Sequence, residues 1–102
     1  MKRIKLMADY DCWPLWRASG SEVGDIDPST LPLSESTRRS LKDWASHYNS
    51  WLNRDDPRLS GPRSDADREA FNAEGRRLLK ALRSELPDYD VIYKEGGVVN
   101  ES

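Results

Sequence analysis

The chain has 102 residues, of which 36% are hydrophobic and 33% charged, with a formal net charge of −2 and a mean hydropathy of −0.85. That length makes one domain with a small core, and no stretch approaches the roughly 20 apolar residues of a membrane-spanning helix. One cysteine excludes an internal disulfide, and with a single histidine it leaves too few ligands for a zinc site of ordinary composition.

The charge is unevenly placed. Residues 9–27 hold Asp9, Asp11, Glu22, Asp25 and Asp27 against Arg17 alone, a net −4, whereas residues 35–86 are mildly basic. Such asymmetry bears on partners rather than on fold. The basic start Lys2-Arg3-Ile4-Lys5 has no apolar run behind it, so no signal peptide is expected, and a cytoplasmic location follows.

Residues 3–8 alternate and predict a strand that buries Ile4 and Leu6. Residues 12–17 are aromatic but contain Pro14, which suits an edge strand. The turn signal Ser19-Gly20-Ser21 followed by Val23-Gly24-Asp25-Ile26 predicts a hairpin over 13–26. Asp27-Pro28 through Pro32 reads as a connector.

Ser34 caps a helix expected over about 35–53, with Leu41, Trp44, Ala45, Tyr48 and Leu52 on one stripe. Trp51 falls on the flank of that stripe and is expected to be half-buried. After a turn-rich loop, Ser64 and Asp67 form an S-x-x-D capping box for a second helix over 64–86. Its stripe is Phe71, Gly75, Leu78, Leu79, Leu82 and Leu86, and Pro87 stops it. Residues 89–94 predict a last strand, and residues 96–102 a flexible tail after a single domain over 1–95. Two one-faced helices beside a small mixed sheet predict an α+β two-layer sandwich, with both helices on one sheet face.

Paired carboxylates are the first candidates for chemistry. Asp9 and Asp11 open like a calcium loop, but Trp13 stands at the next ligand position. Asp25 and Asp27 fail likewise, with Thr30 where the loop needs glycine. Asp55-Asp56-Pro57 is turn chemistry. No metal or cofactor is therefore expected. Cys12 with His47 would make a nucleophile and base, but helical phase puts His47 near solvent, and Cys12 reads as a small buried hydrophobe. No catalytic residues are expected. Arg76, Arg77, Lys80 and Arg83 form a basic stripe on the second helix. Acid at that helix's start and base at its end complement its dipole without a ligand, so no direct nucleic-acid contact is expected.

Trp13 and Trp16 lie outside any helical stripe, within the acidic segment. Either both cap the sheet, or one is exposed as an anchor, since Trp and Tyr dominate interface hot spots. The candidate partner-binding residues are accordingly Tyr10, Asp11, Trp13, Trp16, Asp25 and Asp27. Asp55-Asp56 is a weaker competitor that has charge without a free aromatic neighbour.

Four segments carry a resemblance: residues 4–16 (IKLMADYDCWPLW), 26–34 (IDPSTLPLS), 51–57 (WLNRDDP) and 74–80 (EGRRLLK). Over about residues 3–94 the chain resembles a small bacterial family related to immunity proteins of contact-dependent growth inhibition and similar toxin systems. The resemblance implies a non-catalytic protein whose partner is a cognate toxin domain, bound as a heterodimer. If that toxin is a nuclease, its phosphate-binding site is basic, and the acidic segment 9–27 offers a complementary surface. The alternative is a structural or regulatory interaction module with no toxin partner.

Overall fold

β1 (Lys2–Leu6) realises the expected alternation: Ile4 and Leu6 are buried while Lys2 and Arg3 are exposed. The computed structural model describes residues 2–21 and 23–95, so the expected tail at 96–102 lies outside the described residues. β1 pairs antiparallel with β2 (Leu15–Arg17), which pairs antiparallel with β3 (Asp25–Ile26). On its other side β1 runs parallel to β4 (Tyr89–Tyr93), with Ile4 opposite Val91. The sheet order is β3-β2-β1-β4. A parallel pair needs a crossover, and both helices lie within the one that joins β1 to β4 through β2 and β3.

The hairpin expected over 13–26 is present, but its first strand is not an edge. β2 lies between β3 and β1, and β3 is the edge. Pro14 escapes the penalty of a central proline because the strand begins one residue after it. Its carbonyl still accepts the Met7 N–H at 3.0 Å.

α1 (Glu35–Asn49) begins as expected, with the Ser34 hydroxyl accepting from the Thr37 N–H at 3.1 Å. A carboxylate from the far end of the chain completes this cap: Glu85 accepts both the Ser34 N–H and the Thr37 hydroxyl. The helix stops four residues short of Asn53. The Trp51 and Leu52 N–H groups bond three residues back, to Tyr48 and Asn49 at 3.0 and 3.1 Å, which tightens the chain out of α geometry. The Asn53 side chain then takes the N–H groups of Asp55 and Asp56 at 3.0 Å, starting the loop. This tighter turn carries Trp51 inward: it is 4% exposed, not half-buried.

α2 (Asp65–Glu85) buries Phe71, Asn72, Gly75, Leu78 and Leu82, with Leu86 buried at its cap. Trp44 stacks on Phe71 with ring centroids 4.6 Å apart, and its indole N–H donates to the Phe71 carbonyl at 2.9 Å. Gly75 lies where α2 approaches Trp44 and Tyr93, and a Cβ there would overlap the Tyr93 ring. Ile4, Leu6, Leu15, Val91, Leu41, Trp44, Phe71, Leu78, Leu82 and Leu86 join one core, with Tyr48 and Tyr93 packed partly buried against it. The fold is thus the expected α+β two-layer sandwich. Alternation places Arg3, Lys5, Trp16, Asp25, Asp90 and Ile92 on the other sheet face, all of them half-buried or exposed.

Candidate functional site

The segment between β1 and β2 reverses direction at Asp11, whose φ of 59° is left-handed and unusual for a residue with a side chain. Two contacts to the end of α1 hold it there. The Asp11 N–H donates to the Asn49 side-chain oxygen at 3.0 Å, and the Tyr10 ring lies 4.7 Å from that of Tyr48. The Asp11 carboxylate also accepts from Arg54 at 3.2 Å. Fixed in this way, the loop turns Trp13 outward with 47% of its surface exposed.

The hairpin partner supports Trp13 from below. Asp25 accepts the Trp13 N–H at 2.8 Å, and its backbone pairs across the strands with Trp16. Trp16 is half-buried, with its indole N–H spent on the Met7 carbonyl at 2.8 Å. Asp27 accepts the Ser29 N–H at 2.9 Å and so caps a single 3-10 turn, Pro28–Thr30. Both carboxylates serve the backbone as well as setting the sign of the surface.

Trp13, Pro14 and Pro28 form the walls of a groove of about 350 Å³ against the flank of α1, where Ala45, half-buried here rather than in the core stripe expected for it, supplies the apolar floor. Asp27 lines it on the wall side, and Arg38 and Lys42 line it from α1. An exposed tryptophan, two prolines and an alanine bordered by charges of both signs can hold an apolar side chain and orient it with polar contacts. The structure therefore resolves the two tryptophans differently: Trp13 is the exposed one and Trp16 caps the sheet.

Of the six candidate residues, Trp13 and Asp27 share the groove, and Asp25 is bonded to Trp13. Trp16 is its cross-strand neighbour on the open sheet face. Tyr10 and Asp11 sit on the adjoining loop, docked to α1. The α1 contribution was not expected, because Ala45 was assigned to the core stripe. Its signal was the row Arg38, Lys42, Ala45 and Asn49, spaced 4, 3 and 4 apart on one helix face.

Cys12 is half-buried rather than buried and lies in the same groove. Burial and the neighbouring Asp9, Asp25 and Asp11 push its thiol up from the ordinary range. That is the wrong direction for a nucleophile. His47 is half-buried, with 34% of its side chain exposed, and is engaged rather than free. Its Nε2 meets the Asp67 carboxylate at 2.8 Å, and its ring lies 5.3 Å from those of both Trp51 and Phe71. Asp67 also accepts the Trp51 indole N–H at 2.6 Å and the Arg63 N–H at 3.2 Å. The hydrogen bond from His47, with these two, holds its carboxyl below the usual range. The capping box is therefore displaced by one residue: Asp67 donates to Ser64 as expected, but its carboxylate reaches the Arg63 N–H.

In the basic stripe, Arg77 pairs with Glu74, Arg76 with Glu95, and Arg83 donates to the Val91 carbonyl. Among the described residues there is no group of three or more His, Cys, Asp or Glu side chains placed to hold a metal ion.

The model of the Serratia CdiI immunity protein-like family matches residues 2–96. The chain belongs to that family. The match runs from β1 past β4 and so includes the acidic loop, the hairpin and the groove. No curated protein compared with the chain matches it. Among the described residues of this family member, no helix is long and apolar enough to cross a membrane.

Proposed function

We propose that the chain is a cytoplasmic immunity protein that binds a cognate toxin domain as a heterodimer and neutralises it without catalysis of its own. The observation that carries this reading, together with the family membership, is Trp13: a large aromatic side chain left 47% exposed by a loop held in a left-handed turn. Ordering a loop to expose an indole costs free energy unless a partner covers it, and Trp is prominent among interface hot spots.

The chemistry around Trp13 suits a basic partner surface. Asp9, Asp11, Asp25 and Asp27 lie on the loop, hairpin and connector around it, within a segment whose net charge is −4. A nuclease must hold phosphates with cations, so its active site attracts this face, and complementary charge speeds capture. The toxin-facing set is then Tyr10, Asp11, Trp13, Asp25 and Asp27, with Trp16 on the flank supporting the hairpin.

The test is coexpression with the cognate toxin domain, which this reading expects to be encoded just upstream. Wild-type chain restores growth, and the purified pair elutes as a one-to-one complex. Growth arrest despite soluble expression of the chain would favour the alternative, an interaction module with no toxin partner.

A further inference from the structure

We infer that the groove beneath Trp13 receives one large apolar side chain of the toxin together with a carboxylate next to it. This rests on the immunity reading and adds a second, oppositely charged element to it. The acidic loop accounts for attraction of a basic surface, but it does not account for the α1 side of the groove. There the two charged lining residues are Arg38 and Lys42, both cations.

Neither is fully engaged. Among the described residues the Lys42 side chain makes no hydrogen bond or ion pair. Arg38 donates from Nη2 to the Leu31 carbonyl at 2.8 Å, while its Nε is buried with no partner. A buried donor without an acceptor is unfavourable, but this atom is sealed from solvent and the Arg38 charge already acts on Glu85, so a partner carboxylate meets the guanidinium only if the side chain swings outward. Lys42 needs no rearrangement to meet the same group. Between these cations and Asp27 the lining is apolar, from Trp13, Pro14, Pro28 and Ala45. At about 350 Å³ the space lies at the small end of the roughly 300–1,000 Å³ range of ligand pockets, enough for one aromatic or long aliphatic side chain with room beside it for an adjoining group. The occupant is thus an apolar residue adjacent to Asp or Glu on the toxin. A purely basic toxin segment would meet like charge at Lys42.

Cys12 lines this groove and is the only cysteine in the chain, so it reports occupancy directly. The experiment uses the full chain and the purified upstream toxin domain. Rates of Cys12 alkylation by iodoacetamide at pH 8.5 are measured with and without toxin, beside the affinities of Ala45→Trp, Lys42→Glu and Lys42→Arg. The first fills the groove from a half-buried position on the flank of α1, and circular dichroism checks folding of each variant. The expected results are protection of Cys12 in the complex, about 30-fold or greater weakening by Ala45→Trp, about 10-fold weakening by Lys42→Glu, and retention of affinity by Lys42→Arg. A tight complex in which Cys12 alkylates at the free rate, and Ala45→Trp and Lys42→Glu bind as the wild type does, overturns the groove while leaving the immunity reading in place. Absence of any complex with wild-type chain overturns both.

Discussion

Asp25 accepts the backbone N–H of Trp13 at 2.8 Å, tying the base of the exposed indole to the edge strand of the sheet. One residue does two jobs there: it satisfies a donor that has left the ladder, and it contributes negative charge beside the most exposed aromatic. Asp25→Ala should therefore lower stability by about 1 kcal/mol and accelerate amide exchange at Trp13. Asp25→Asn keeps an acceptor and should restore most of both. Chemical denaturation and hydrogen exchange measure these effects, and equal losses in the two variants would show that charge rather than hydrogen bonding holds the turn.

Gly75 marks the tightest crossing in the core. Gly75→Ala should cost about 1–3 kcal/mol through overlap with Tyr93 and Trp44. Tyr93→Phe removes the hydroxyl that meets the added methyl, and with it the hydrogen bond to Asn72. The double variant should therefore be less destabilised than the sum of the two single changes. Strict additivity in denaturant unfolding would show that the helix shifts as a whole instead.

Leu78 is 3% exposed within the α2 stripe. Leu78→Ala should cost roughly 2–5 kcal/mol. A loss well under 1 kcal/mol would contradict the assigned core.

Asp67 links stability to acid. Its carboxyl is held below the ordinary value of 3.8, first by the hydrogen bond from His47 and then by Arg63 and Trp51. A lowered folded-state value means that this contribution is fully present above 3.8 and is lost as pH falls through the lower folded-state titration. Asp67→Asn should accordingly lower the melting temperature near neutral pH, with the gap to wild type closing at the acid end. A constant gap across that range would mean that the carboxylate's charge is not what stabilises the cluster.

Much of the fold was legible because its signals are local. Ser34 and Ser64 cap the helices they precede, and the stripes Leu41–Trp44 and Phe71–Leu78–Leu82 face the core as spacing requires. Trp51 was misplaced because helical phase was extended past Asn49, where three-residue hydrogen bonds change the geometry. For His47 it was the partner that helical phase did not show. Its partner Asp67 lies 20 residues away, and neither residue's own spacing announces the other. The candidate face was half visible. Trp13 stood out as an aromatic outside any stripe, but the groove needs residues from the β1–β2 segment, the 27–29 turn and α1, which only the fold brings together. Asp25 and Asp27 stood out for their charge, and their second role as acceptors for backbone donors depends on the loop geometry that the fold imposes.

The most direct test of the central claim is the binding kinetics of the purified chain and its toxin domain at low and high salt. The variants are Trp13→Ala and the triple Asp11→Asn, Asp25→Asn, Asp27→Asn. Asparagine keeps the hydrogen-bond acceptors and tolerates the left-handed turn at Asp11. The triple change should slow association about 10-fold at low salt and flatten its salt dependence, whereas Trp13→Ala should mainly speed dissociation. Association and dissociation unchanged in both variants, with a wild-type complex that still forms, would contradict the assignment of this face to the toxin.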